Sequence, residues 1–118
     1  MSDLSRREVW AKGQAPMDDS QREVQRFLSR HGLRYDARTH MLDLVSEIGE
    51  LAKLVLQASD YGQMVLRTDV DFSGELGDVF YSMLALATAL EIDAEDALAR
   101  ALRKYEARLE EGGGPGSR

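Results

Sequence analysis

The sequence predicts an all-α protein, a bundle of four to five helices, and three observations predict it. Apolar residues recur every three or four positions through most of the chain, which is the period of an amphipathic helix. No stretch alternates polar and apolar residues for long enough to indicate a sheet. Residues that cap or stop helices fall between the periodic segments.

The chain of 118 residues has the length of one domain. Residues 1–17 mix charge, Gly13 and Pro16 without periodicity and are expected to form a flexible N-terminal arm that contains Trp10. Residues 112–118 read GGGPGSR and are expected to form a disordered tail. The helical domain is therefore expected over residues 18–111.

The first two helices are expected over residues 20–31 and 37–57. Ser20 followed by Glu23 is the pattern of a capping box, and His31 with Gly32 ends the first apolar stripe. The second stripe begins near Met41 and stops at the sequence ASDYGQ. A connection over residues 58–72 follows.

The third helix is expected over residues 73–91, and its C-terminal half is apolar on nearly every side, so burial from several directions is predicted. Asp93 is expected to cap the fourth helix. Its inner apolar stripe is expected to consist of Ala97, Leu98, Ala101, Leu102, Tyr105 and Leu109. A four-helix monomer of this size could not cover so much apolar surface, which predicts a homo-oligomer.

Charge and composition exclude several classes of protein. With 15 Lys and Arg against 21 Asp and Glu, the net charge of -6 lacks the basic footprint of a protein that coats a nucleic-acid polymer. Without cysteine, disulfides, thiolate zinc sites and a cysteine nucleophile are absent. No signal peptide or bilayer-spanning run is present, so the sequence predicts a soluble, cytoplasmic protein with no membrane partner.

Two segments share an unusual pattern of acid, aliphatic residue, glycine and acid: VSEIGELAKLV at residues 45–55 and SGELGDVFYSM at residues 73–83. The sequence contains three acid pairs with this spacing, namely Glu47/Glu50, Glu75/Asp78 and Asp93/Asp96. Helix capping explains the last pair. The other two lie in stretches without any Lys or Arg, residues 39–52 and 68–99, so their own helices do not neutralise them.

Each of these pairs encloses a glycine, Gly49 or Gly77, although glycine costs about 1 kcal/mol in a helix interior. A missing side chain would let another helix or a ligand approach the backbone. If the second and third helices pack antiparallel, four carboxylates meet and form a site suited to Mg²⁺ or Mn²⁺. The alternative is a solvated acidic helix face. A di-iron or zinc site is disfavoured because His31 and His40, read as a helix end and an ordinary polar position, lack metal-ligand spacing.

The segments MLDLVSEIGELAKLVLQ and GELGDVFYSMLALATALEIDAEDALARALRKYEARL resemble the MazG-like family of all-α nucleoside triphosphate pyrophosphohydrolases, over roughly residues 20–109. The resemblance implies a MazG-like bundle assembled as a homodimer or homotetramer. It also implies that Glu47, Glu50, Glu75 and Asp78 bind Mg²⁺ and carry the catalysis. The implied reaction cleaves a nucleoside triphosphate between its α and β phosphates, giving a monophosphate and pyrophosphate.

The sequence departs from the family pattern at three positions. Many relatives have a glutamate where Ser46 stands, so either one of the four acids acts as the base or no base is needed. Relatives often carry Lys and Asn where Ala101 and Tyr105 stand. Arg100, Lys104 and Arg108 remain as candidates to bind substrate phosphates, although a helix C-terminus favours basic residues without any such role.

Two alternatives stay open beside the enzyme, and the departures support the first of them. One is a catalytically weak helical interaction module in which the four acids form a cation-stabilised structural site. The other is an enzyme like phosphoribosyl-ATP pyrophosphohydrolase, which has the same fold and chemistry and a different substrate.

Overall fold

Residues 19–112 are all-α, as predicted. The computed structural model describes residues 19–112, and within that range it contains four α-helices and no strand. They are α1 (Asp19–Arg30), α2 (Ala37–Ala58), α3 (Phe72–Ala89) and α4 (Ala94–Glu110). None of these helices is long and apolar enough to cross a membrane. The expectations for the N-terminal arm and for the tail beyond Gly112 fall outside the described residues.

The first helix begins and ends one residue earlier than expected, at Asp19 and Arg30. Ser20 lies inside the first turn of α1 instead of preceding it, so the capping box predicted with Glu23 is wrong. At the other end Gly32 adopts a left-handed conformation with φ of 65°. The amide of Leu33 then donates to the carbonyl of Leu28 at 2.9 Å, which closes the helix in the manner of a Schellman motif.

The helices α2 and α3 form the main packed pair, and α1 packs on α3. Each helix of the pair has an aspartate N-cap: Asp36 accepts from the amide of Thr39 at 3.2 Å, and Asp71 accepts from the amide of Ser73 at 3.0 Å. The small apolar core draws on these three helices and comprises Leu28, Leu44, Ala58, Leu84, Ala85 and Ala87. The burial predicted for the C-terminal half of α3 is confirmed.

The connection between α2 and α3 spans residues 59–71, close to the predicted 58–72. Asp60, Tyr61 and Gly62 have φ values of 47°, 57° and 85°, so the chain reverses through left-handed residues directly after α2. The amide of Arg67 donates back to the carbonyl of Ala58 at 2.9 Å. This bond holds the connection against the end of α2.

The fourth helix is placed differently from the prediction. Asp93 caps it as expected, but no residue of α4 is buried, and Leu98 and Leu102 are 57% and 52% exposed. The predicted inner stripe is therefore wrong for the single chain, because α4 does not pack lengthwise against α2 or α3. Ala97 and Leu98 of this stripe line a cleft of 470 Å³ that is also lined by Phe80 of α3.

Candidate metal centre

Three of the four predicted acids meet where α2 and α3 pack together. Glu47 comes from α2, and Glu75 and Asp78 come from the first half of α3. Each offers one carboxylate oxygen, and these three oxygens all lie within 4.8 Å of one another. Glu47 and Glu75 are half-buried and Asp78 is exposed, so the cluster opens to solvent on one side. We call these three residues the acidic cluster.

The fourth predicted acid, Glu50, lies outside this spacing. It follows Glu47 by one turn of α2, and its side chain is exposed. Its charge nevertheless acts on the cluster, because Glu50 is one of the carboxylates that raise the pKa of Glu47. The structure thus brings three of the acids together and leaves the fourth beside them.

The electrostatics of the acidic cluster are those of uncompensated negative charge. Burial is the largest cause that raises the pKa of Glu47 above its ordinary value of 4.5, and the charges of Asp78 and Glu75 follow. Asp43, one turn earlier on α2, contributes in the same direction. Within the described part of the chain, no Lys or Arg forms an ion pair with any member of the cluster. A cation from outside the chain would relieve this repulsion.

The spacing and the donor type fit a hard divalent cation. Mg²⁺ binds oxygen ligands at about 2.0–2.1 Å, so two ligands of one ion are at most about 4.2 Å apart. The oxygens of the acidic cluster are within 4.8 Å of one another before any ion is added, and small side-chain rotations would bring them to coordination distance. Carboxylates suit Mg²⁺ and Mn²⁺ better than softer metals.

The two glycines beside the acids border open space. A Cβ atom added at Gly49 or Gly77 would meet nothing within 4 Å. The expectation that another helix approaches the backbone there is therefore wrong within the described chain. Gly77 lines a 370 Å³ cleft between α1 and α3, whose walls include Phe27 and Tyr81. The two rings meet edge to face at 5.8 Å and contribute an apolar wall, and Glu23 also lines the cleft.

The three predicted phosphate-binding residues share α4, where one pairs with an aspartate and two lie over the same aromatic ring. Arg100 pairs with Asp96 at 2.9 Å, four residues earlier. The Nζ of Lys104 lies 4.9 Å from the ring centre of Tyr105, and the guanidinium of Arg108 lies 6.0 Å from it. Because α4 does not pack along α2 or α3, the single chain does not gather these cations around the acidic cluster. Their phosphate role stays a prediction.

Neither histidine joins the acidic cluster. His31 follows the end of α1 and its ring packs 4.6 Å from that of Phe27, as expected for a helix end. His40 was expected at an ordinary polar position, which is wrong: it is 5% exposed. Its Nε2 accepts a hydrogen bond from the amide of Tyr35 at 3.3 Å, so His40 ties the α1–α2 turn to the core.

Two residues that the sequence did not single out emerge from the structure. The charge of Asp43 raises the pKa of Glu47 from one turn earlier on α2. The spacing of four residues between these two acids is the signal that could have found it in the sequence. Gln21 is completely buried and hydrogen-bonded to the turn between α3 and α4. A glutamine in the first turn of an amphipathic helix gave no signal of that role.

Comparisons with known proteins agree with this arrangement. The MazG nucleotide pyrophosphohydrolase domain family matches residues 36–112, which include the whole acidic cluster. The Bacillus subtilis (strain 168) protein YpjD, described as uncharacterized, is 32% identical over 96 residues that span 78% of this chain and 85% of that protein. The crystal structure of YpjD, described there as a candidate pyrophosphatase, superposes with a TM-score of 0.64 at 30% identity and covers 80% of this chain and 97% of that one.

Proposed function

Because the chain belongs to the MazG nucleotide pyrophosphohydrolase domain family, we propose that it is a Mg²⁺-dependent nucleoside triphosphate pyrophosphohydrolase. The reaction cleaves the substrate between its α and β phosphates and yields a nucleoside monophosphate and pyrophosphate. The observation that carries the proposal is the convergence of Glu47, Glu75 and Asp78 within 4.8 Å, inside the segment that the family matches. We place the reaction in the cytoplasm.

The acidic cluster would hold Mg²⁺ or Mn²⁺, and the exposed Glu50, one turn along α2, would contribute more weakly as a fourth ligand. An ion held there would neutralise phosphate charge and supply an activated water for attack at the α-phosphorus. In this way an acidic chain of net charge -6 accepts an anionic substrate. The raised pKa of Glu47 supports the assignment, since groups perturbed by burial and like charge concentrate at functional sites.

The cations of α4 bind the substrate phosphates that the metal does not cover. Arg100 and Lys104 are exposed and Arg108 is half-buried on this helix. Their contribution is to affinity, because they lie on an element separate from the α2–α3 pair that carries the cluster. Replacing Lys104 is expected to raise KM with little change in kcat.

The active form is a homodimer or homotetramer. The unburied stripe of α4 supports this assembly, as do exposed apolar side chains on both helices of the central pair, among them Met41, Leu42, Val45, Ile48, Leu76, Phe80 and Met83. Exposed apolar side chains in such number favour an assembly that covers part of them. Light scattering should give a multiple of the 13.2 kDa chain mass, and a mass of one chain would contradict the assembly.

Hydrolysis in ¹⁸O-labelled water tests the reaction. The purified protein is incubated with Mg²⁺ and a panel of nucleoside triphosphates, and the products are separated and weighed by mass spectrometry. Attack at the α-phosphorus puts the label in the monophosphate, with unlabelled pyrophosphate and no diphosphate. Label in orthophosphate or pyrophosphate would refute the proposed bond cleavage.

A matched pair of variants assigns the activity to the cluster. Glu75→Gln keeps the size of the side chain and removes a charged ligand, so turnover should fall by orders of magnitude. Glu106→Gln makes the same exchange at an exposed position on α4 and should leave turnover within a few-fold. No hydrolysis of any triphosphate by the parent protein would favour the interaction module instead.

A further inference from the structure

Gln21 is the most completely buried polar side chain of the described residues, with an exposed fraction of 0%. It lies in the first turn of α1, yet its hydrogen bonds go to the far side of the sequence. Its Nε2 donates to the carbonyl of Ile92 at 2.8 Å, and its Oε1 accepts from the amide of Ala94 at 2.8 Å. A longer contact of 3.5 Å joins Nε2 to the hydroxyl oxygen of Thr88.

These bonds complete the N-terminus of α4. The first amides of a helix have no partner within it. Asp93 accepts from the amides of Glu95 and Asp96 at 3.0 and 3.1 Å, which leaves the amide of Ala94, the first residue of α4. Gln21 supplies its acceptor, and it does so from another helix. The cap from Asp93 is local and turns with α4, whereas the bond from Gln21 ties the start of α4 to α1.

The turn between α3 and α4 contains a residue in an uncommon conformation and is hydrogen-bonded to Gln21. Glu91 adopts a left-handed conformation with φ of 56°, which is uncommon for a residue other than glycine. The amide of Ile92 donates to the carbonyl of Ala87 at 2.9 Å and closes the end of α3. Two backbone groups that follow this closure, the Ile92 carbonyl and the Ala94 amide, both bind Gln21.

Beyond its start, α4 makes little packing contact with α1, α2 or α3. None of its residues is buried, and it does not pack lengthwise against the other helices. Its direction is therefore set where it starts, by the α3–α4 turn and by the bonds that reach that turn. A small rotation there displaces the distal residues of a 17-residue helix by many ångströms.

We propose that Gln21 is a positioning residue through which α1 fixes the direction of α4, and with it the placement of the basic and apolar residues that α4 carries. The effect of Gln21 on the direction of α4 depends only on its hydrogen bonds and not on the activity of the protein. Its consequence for substrate rests on the function proposed above, in which Lys104 and its neighbours on α4 bind phosphates.

Spin labels can measure this direction directly, because the natural sequence contains no cysteine. Cysteines replace Arg26 on α1 and Glu106 on α4, both exposed, and carry nitroxide labels. Dilution with excess unlabelled chain restricts the measured distances to single chains whatever the oligomeric state. Double electron–electron resonance should give one narrow distance for the parent sequence. Gln21→Met, which keeps the length and removes both bonds, should broaden or shift that distance while helical content by circular dichroism is retained.

Gln21→Glu gives a pH-dependent version of the same test. The protonated carboxyl can donate to the Ile92 carbonyl and accept from the Ala94 amide, as the amide of Gln21 does. The ionised carboxylate accepts only, and it would face the Ile92 carbonyl in a buried site. The distance should be narrow at acid pH and broad at alkaline pH in this variant alone. Gln25→Met, one turn along α1, should match the parent sequence at every pH.

A parent-like distance in folded Gln21→Met would overturn the proposal. If that variant does not fold, a pH-independent distance in Gln21→Glu would overturn it instead. For turnover, Gln21→Met should raise KM several-fold at nearly unchanged kcat, and an unchanged KM with a displaced α4 would refute the substrate part. A parent protein without hydrolytic activity defeats the proposed function and leaves the distance measurement as an independent test of Gln21.

Discussion

Replacing Asp78 by Asn should remove most of the stabilisation that Mg²⁺ gives to the folded protein. Asp78 is one of the three carboxylates that converge within 4.8 Å, and its charge is the strongest of those that raise the pKa of Glu47. The substitution keeps the size of the side chain and takes away one charged ligand. Without metal it should leave the protein at least as stable as the parent, because one of three mutually repelling charges is gone.

The size of the metal effect follows from mass action. An ion that binds only the folded state at ten times its Kd stabilises it by about 1.4 kcal/mol. For a domain of this size that corresponds to a Tm rise of about 6–11 °C. If losing one of the three clustered ligands weakens binding tenfold, the same Mg²⁺ concentration gives about 0.4 kcal/mol. The expected rise then falls to about 2–3 °C.

Differential scanning calorimetry with and without Mg²⁺ measures both values. Asp43→Asn is the matched control, since it makes the same exchange on an exposed residue that also raises the pKa of Glu47 but lies outside the acidic cluster. The control should keep the full metal response. The parent protein and Asp43→Asn should therefore respond alike, and Asp78→Asn should not.

A parent protein whose Tm is indifferent to millimolar Mg²⁺ and Mn²⁺ would refute the metal site. Equal loss of the response in Asp43→Asn and Asp78→Asn would also count against it. That result would mean that the general charge of this face, and not the three converging oxygens, governs the effect.

Three further outcomes are expected. The folded pKa of Glu47 lies above its ordinary value of 4.5, so the folded state keeps this proton at a pH where the unfolded chain has released it. The metal-free stability should therefore fall as the pH rises above 4.5. In urea unfolding curves recorded over a pH series, Glu47→Gln should flatten this part of the pH dependence. Glu50→Gln should weaken Mg²⁺ binding by isothermal calorimetry less than Asp78→Asn does, because Glu50 lies outside the 4.8 Å cluster, and an equal loss would make it a full ligand. Leu98→Gln with Leu102→Gln should lower the mass by light scattering while helicity is kept, and an unchanged mass would exclude the α4 stripe from the interface.

One part of the acidic cluster is determined by local sequence and another part by the packing of two helices. The spacing of Glu75 and Asp78 places both on one face of α3, and a local pattern is enough to show that. Whether Glu47 or Glu50 meets them depends on the crossing of α2 over α3. Side chains on the same helix, one turn apart, look equivalent in the sequence, and only the packed pair distinguishes the half-buried Glu47 from the exposed Glu50.

The fourth helix shows the opposite limit. Its period and its Asp93 cap were legible because both depend on residues within four positions of one another. The same period predicted a buried stripe, and within the single chain that prediction was wrong. An amphipathic pattern states that a face avoids water, but it does not state which surface covers that face.

By itself, the sequence determined the all-α class, the approximate extents of four helices and the presence of two acid pairs without neutralising partners. These properties come from backbone hydrogen bonding, capping and side-chain periodicity, all of which act over a few residues. Tertiary structure alone decided that three acids converge, that His40 is buried and that Gln21 joins α1 to the start of α4. Each of these depends on contacts between residues distant in the chain, which form only when whole helices pack in one register.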